Sequence, residues 1–158
     1  MKSIIVYYSY SGNTKKVSEA LVAHLQQKGD AQALELKPID ESDKFLIQAV
    51  RAFRRKKAKL EDVKFDLSKY DLICLGTPVW AFGPAPAMNT YLEGCFGVLG
   101  KQVLLFATYG SGVGKERCLD YMQQMLIKKG AKSFKRFLIQ QGKVKYSEFV
   151  TSRIQEII

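Results

Sequence analysis

Short apolar runs alternate along the chain with longer stretches in which apolar residues recur every three or four positions. The short runs are rich in β-branched and aromatic residues, which is typical of strands that are buried on both faces. They predict five strands, at Ser3–Tyr8, Ala31–Leu36, Asp71–Gly76, Gln102–Thr108 and Ser133–Ile139. The periodic stretches predict helices at Asn13–Lys28, Ala85–Leu92, Val113–Lys129 and Ser147–Ile158.

The alternating order of these elements favours a parallel sheet, because parallel strands need crossover connections that are usually helical. We therefore expect an α/β fold, a doubly wound five-stranded parallel sheet between two helical layers, as a single domain over residues 1–158. The charged segment Ile39–Lys69 is longer than a simple connection, and its apolar spacing predicts a further helix at Asp43–Lys57.

Composition narrows the class of protein. The chain has 158 residues, 47% of them hydrophobic, and a net charge of +10. No apolar run approaches the roughly 20 residues of a membrane-spanning helix, so no membrane span is expected. Three scattered cysteines without a CxxC pair, and one histidine, argue against a disulfide framework or a metal site. Such cysteine usage favours a reducing, cytoplasmic location.

The loop after the first strand has the composition of an anion-binding site. It leads directly into a helix and comprises Ser9, Tyr10, Ser11, Gly12, Asn13 and Thr14. Its hydroxyls can donate hydrogen bonds, and the amides of the helix N-terminus point at the same place. A helix cap would explain one such residue but not three hydroxyls around a Gly-Asn pair. We therefore predict a phosphate site.

Two further loops follow strands at the same predicted edge of the sheet, where open α/β sheets bind ligands. The loop after the third strand contains Thr77, Pro78, Val79, Trp80, Ala81, Phe82 and Gly83. The loop after the fourth contains Thr108, Tyr109, Gly110, Ser111 and Gly112. Trp80 and Tyr109 could stack on a flat heterocycle, although simple packing of Trp80 or Phe82 over the core is the alternative.

These loops carry a resemblance to a known family. Ser9–Thr14 is similar to the TxTGNT phosphate loop of flavodoxins, and Asp71–Tyr91 resembles the flavin-ring segment of flavodoxin-like proteins. The resemblance implies the strand order 2-1-3-4-5 and FMN as the cofactor. It places the FMN phosphate at Ser9–Thr14 and the ring between Thr77–Gly83 and Thr108–Gly112. The chain departs from the acidic electron carriers of that family in its positive charge.

The resemblance also implies a function, which is to carry electrons between redox partner proteins. The basic residues Arg51, Arg54, Arg55, Lys56, Lys57 and Lys59 could steer the protein to an acidic partner, such as a ferredoxin-like protein or a reductase. No recognised nucleic-acid module is visible, so nucleic acid is not expected as a partner. The alternative function is an NAD(P)H-dependent FMN or quinone oxidoreductase. The protein is expected to be a monomer or a weak dimer.

Overall fold

The computed structural model describes residues 1–39 and 57–158. Its six strands are β1 (Lys2–Tyr7), β2 (Asp30–Glu35), β3 (Leu72–Trp80), β4 (Gly83–Pro84), β5 (Gln102–Tyr109) and β6 (Ser133–Gln140). Over the same residues it has four α-helices, α1 (Asn13–Gln26), α2 (Pro86–Gly94), α3 (Lys115–Ile127) and α4 (Ser147–Ile157), and a short 3-10 helix at Gln141–Lys143. The predicted helix Asp43–Lys57 lies, apart from Lys57 itself, outside the described residues.

Five of the strands form one parallel sheet in the order β2-β1-β3-β5-β6. When the two-residue strand β4 is set aside, this is the predicted order 2-1-3-4-5, so the α/β fold class is confirmed. Within the described ranges, no helix combines the length and apolarity that are needed to cross a bilayer.

The central strands are apolar on both faces because each face packs against helices. In β1, Ile4 belongs to one core cluster and its neighbour Ile5 to the other, and adjacent residues of β5 divide in the same way. Successive side chains of a strand point to opposite faces, so a strand covered on both sides has no polar face to present. This explains the continuous apolar runs of the sequence.

Strand β3 is longer than predicted. The sequence indicated a strand ending at Gly76, because the glycine and Pro78 are typical strand breakers, but β3 continues to Trp80. Strand β1 ends at Tyr7, which pairs with Gly76, so the later residues of β3 have a parallel neighbour only in β5. A proline is tolerated there, since its missing N–H faces no partner strand.

A tight hairpin then joins β3 to β4. Val79 pairs with Pro84 and Trp80 with Gly83, which leaves Ala81 and Phe82 as the two turn residues. Both have positive φ, 45° for Ala81 and 66° for Phe82. Side chains at such φ values are strained, and the strain persists only where surrounding contacts hold it. Phe82 packs so closely on Gly114 that a Cβ at position 114 would overlap its ring.

The absence of a side chain at Gly76 is required by the core. A Cβ at this position would overlap the ring of Phe106, with even the ring's Cε1 only 2.7 Å away. Phe106 is fully buried and stacks on Phe137, so it has no space into which to move. Backbone conformation is not the constraint, because the φ of Gly76 is not positive.

We predict that Gly76→Ala lowers the free energy of unfolding by about 1–3 kcal/mol, the usual cost of overpacking a core. Gly142→Ala is the matched control, since a Cβ there meets no atom within 4 Å and φ is not positive. The control is expected to change stability by less than about 1 kcal/mol, toward greater stability. Urea unfolding of both variants measures the difference, and equal effects would contradict the packing argument.

Candidate cofactor site

Three loops meet at the carboxyl edge of the sheet. The ring of Tyr10, after β1, lies 5.5 Å from that of Trp80 at the end of β3, edge to face. The hydroxyl of Thr14, at the start of α1, lies 2.8 Å from that of Thr108 in β5. Phe82 of the hairpin packs on Gly114, which precedes α3. All three predicted segments are therefore neighbours.

The N-terminus of α1 is open toward this edge. Its capping residue is Gly12, with φ of 88°, which has no side chain that could bond to the helix; of the first-turn amides, that of Lys15 is bonded to Ser9 Oγ. A Cβ at Gly12 would meet nothing within 4 Å, so a ligand can approach the backbone there. The first helical turn contains Lys15 and Lys16 and no acidic residue. Together with the helix dipole, these features favour a bound anion.

Two serine hydroxyls of the same loop are held as hydrogen-bond acceptors. Ser9 Oγ accepts from the backbone N–H of Lys15 at 3.1 Å, and Ser11 Oγ accepts from Asn13 Nδ2 at 3.0 Å. A hydroxyl has one proton and two acceptor lone pairs. Each serine is thus fixed in position while its own proton stays available for donation to an anion.

Thr14 also has a structural role. It is 1% exposed, and its hydroxyl pairs with that of Thr108, which is fully buried. The backbone carbonyl of Thr14 accepts from Ser18 Oγ at 2.8 Å. The hydroxyl therefore joins the first loop to β5.

A cavity of about 400 Å³ lies between the other two loops. One side is Val79–Phe82 of the hairpin, and the other is Tyr109–Val113 together with Gln141. The volume falls within the roughly 300–1,000 Å³ that is usual for small-molecule sites. Sequence reasoning missed Val113 and Gln141. The only signal for Gln141 was its position directly after β6, at the same edge of the sheet.

The remaining predicted residues support this cavity rather than line it. Thr77 is buried, donates to the carbonyl of Pro78 at 3.0 Å and accepts from the backbone N–H of Ala85 at 3.0 Å. Gly83 forms β4 and Thr108 lies within β5. Thr77 thereby fixes the second arm of the hairpin to the end of β3.

Trp80 lines the cavity but is only 5% exposed. Tyr8 lies edge to face against it at 5.7 Å, in addition to Tyr10. Most of the Trp80 surface is therefore packed against the protein, as in the alternative that it simply covers the core. Phe82, 37% exposed, and the half-buried Tyr109 are the lining aromatics with more accessible rings.

The cysteines take no part in this site. Cys74, Cys95 and Cys118 are all buried. Burial raises the pKa of Cys74 well above its usual range and that of Cys95 to about 11, so both are thiols at neutral pH. In the part of the chain that the structure describes, no cluster of three or more His, Cys, Asp or Glu residues could hold a metal ion.

Comparison with known proteins agrees with this arrangement. A flavodoxin family model matches residues 2–149. Among solved structures, a flavoprotein of Lactobacillus acidophilus NCFM in complex with FMN is 22% identical, with a TM-score of 0.66 over 93% of this chain and 98% of that one. Flavodoxin 1 of Bacillus cereus is 15% identical, with a TM-score of 0.62 over 100% and 99%.

An NADH:FMN oxidoreductase, solved in its apo form, is 19% identical, with a TM-score of 0.68 over 99% of this chain and 86% of that one. Identities this low establish a shared fold. No curated protein matches the chain.

The fold is that of a flavodoxin-like α/β protein in which three loops meet at the carboxyl edge of the sheet. Because the family model covers nearly its whole length, the chain belongs to the flavodoxin family. Membership implies FMN as the cofactor, as the sequence resemblance predicted.

We predict that the Thr14–Thr108 pair is energetically coupled. Thr14→Val or Thr108→Val alone should cost about 1–3 kcal/mol of unfolding free energy, since each leaves a buried hydroxyl unpaired. The double variant should cost less than the sum of the two, because no unpaired hydroxyl remains. Thr151→Val, at an exposed position of α4, is the control. Additive effects in urea unfolding would show that the two hydroxyls act independently.

Proposed function

We propose that this protein binds FMN non-covalently at the three-loop edge and carries electrons between redox partner proteins. One observation carries the proposal: an open helix N-terminus with two positioned serine hydroxyls lies next to a cavity of about 400 Å³ with aromatic walls. Such a pair of sites would accept a ligand in which a short chain joins a phosphate to a flat ring. FMN has both.

The phosphate is assigned to the α1 terminus. Ser9 and Ser11 would each donate a proton to it, and the exposed backbone at Gly12 allows close approach. Hydrogen bonds to a charged acceptor are stronger than neutral ones. The lysines of the first turn supply positive charge, although Lys15 also lies 3.5 Å from Glu35.

The ring is assigned to the cavity between Val79–Phe82 and Tyr109–Val113. When bound there, FMN supplies the capacity to accept and release electrons. Val79, Trp80 and Phe82 give the ring an apolar wall, and Tyr109 offers a face for stacking. Gln141 adds a polar side chain to the cavity lining.

The mouth of the cavity suits contact with another protein. Tyr10, Phe82 and Val113 are 40%, 37% and 66% exposed, and they form an apolar border beside the site.

The net charge of +10 would attract an acidic partner. Of the basic segment, Lys57 and Lys59 are described, and Lys57 forms an ion pair with Glu93. The other basic residues lie outside the described ranges. The low number and wide spacing of the cysteines support a reducing, cytoplasmic setting.

An NAD(P)H-dependent reductase is the second candidate, because one structural neighbour is an NADH:FMN oxidoreductase. The chain carries no dinucleotide-binding motif of the GxGxxG kind, since its loop glycines stand at positions 110, 112 and 114. This favours the carrier, which receives electrons from a partner protein.

We expect NADH or NADPH alone to leave the absorbance of the FMN-loaded protein unchanged over minutes. Addition of a flavin-containing reductase should then bleach it. Anaerobic absorbance at the flavin band measures both steps. Rapid bleaching by NAD(P)H alone, with turnover on a quinone, would establish the reductase instead. A protein that takes up no FMN would contradict both candidates.

The phosphate assignment predicts a difference between two flavins. Ser11→Ala should weaken FMN binding about tenfold, the effect of losing one charge-assisted hydrogen bond. Binding of riboflavin, which has no phosphate, should change less than twofold. Ser152→Ala, an exposed serine of α4, is the control for both ligands. Flavin fluorescence titration gives the dissociation constants, and an equal loss for both flavins would place the phosphate elsewhere.

A further inference from the structure

Tyr109 separates two cavities. One is the cavity assigned to the ring, and the other, of about 360 Å³, lies between α3, β6 and α4. Tyr109 lines both, whereas Lys115 lines only the second. The Nζ of Lys115 lies 4.4 Å from the centroid of the Tyr109 ring, in cation–π contact. A positive charge thus lies across one aromatic ring from the proposed FMN ring site.

The nearby carboxylates are paired with a different cation. Arg136 binds Glu116 at 3.0 Å through Nη2 and Asp120 at 2.7 Å through Nη1. It also donates to the side-chain oxygen of Gln123 at 3.2 Å. Among the described residues, Lys115 itself forms no ion pair. Its charge is therefore not cancelled by the acidic residues of its own helix.

The backbone fixes Lys115 in this place. It is the first residue of α3 and follows Gly114, which has φ of 75° and packs beneath Phe82. Gly112, which has φ of 85°, lies beside the edge of the Tyr109 ring, so the loop turns against the tyrosine. The lysine and the tyrosine are thus held by the same loop that forms one wall of the ring cavity.

We propose that Lys115 is a positioning residue that raises the reduction potential of the bound FMN by acting through Tyr109. The inference rests on the proposed FMN site. Two electrons from a reducing partner and one proton from solvent leave the ring with one more negative charge than in its oxidised form. A cation across a water-excluding aromatic ring stabilises that charge, because Coulomb interactions strengthen as the local dielectric falls. The same contact holds the other side of Tyr109 toward the cavity.

The test compares affinities for oxidised and reduced FMN in three variants. Lys115→Met removes the charge and keeps the apolar stem, Lys115→Arg keeps both the charge and the cation–π contact, and Lys128→Met removes an exposed charge at the other end of α3. The two methionine variants change net charge equally. Dissociation constants are measured by anaerobic titration, and the two-electron potential by equilibration with a reference dye.

Lys115→Met is expected to weaken binding of reduced FMN about tenfold more than that of oxidised FMN. For a two-electron couple this is a potential about 30 mV more negative. Lys115→Arg should leave the affinity ratio within twofold of the original, and so should Lys128→Met. Equal losses for the two redox forms, or an equal shift in Lys128→Met, would overturn the proposal and leave Lys115 a purely structural contact.

A second variant tests the same electrostatics without altering the lysine. Arg136→Gln frees Glu116 and Asp120, so it should shift the potential in the same negative direction, and a positive shift would count against the proposal. If the original protein binds neither redox form, the FMN site itself is wrong. If it binds both and Lys115→Met leaves their ratio unchanged, only the role of Lys115 is wrong.

Discussion

Parallel pairing of β1, β3 and β5 is the constraint on which the rest of the structure depends. Each of these strands is covered on both faces, so their hydrogen-bond register is fixed by two cores at once. Parallel strands must end at the same edge, and the loops that follow them are consequently neighbours. The buried Thr14–Thr108 hydroxyl pair adds a side-chain link between the first of these loops and β5. The topology alone therefore creates an edge of the kind at which open α/β sheets bind ligands, whatever the side chains in its loops.

Two kinds of local structure then divide the work at that edge. An open helix terminus, with Gly12 as its cap, supplies directed amides and a positive dipole. The hairpin supplies a rigid wall, at the cost of positive φ at Ala81 and Phe82. The first favours charge and the second favours a flat apolar surface. Their adjacency, more than any single side chain, is the reason for proposing that a flavin nucleotide binds there.

The central strands were predictable because burial on both faces leaves a strong signal, as in Ile4–Val6, whereas the strand order was implied by the resemblance to flavodoxins. The hairpin was not predictable from the sequence. Gly76 and Pro78 can either end a strand or lie within one that has a single neighbouring strand, and the sequence does not distinguish the two cases. The side on which a strand lacks a partner depends on the tertiary structure, because it is set by where the neighbouring strand ends. The burial of Trp80 was not predictable for a related reason: it depends on Tyr8 and Tyr10, which no local sequence pattern places beside it. Gln141 lines the cavity because it directly follows β6 at the same edge of the sheet, and no sequence motif marks it.

The close packing of Phe82 on Gly114 joins two positions that are far apart in the sequence. A relative that carries a side chain at the glycine position has no room for a phenyl ring at the turn. The two positions are therefore expected to covary across the family, with a small residue at one position wherever the other carries a large side chain. Gly114 is not among the residues that line the cavity, so a substitution there gives protein engineers a means to move Phe82 and change the width of the proposed ligand cleft.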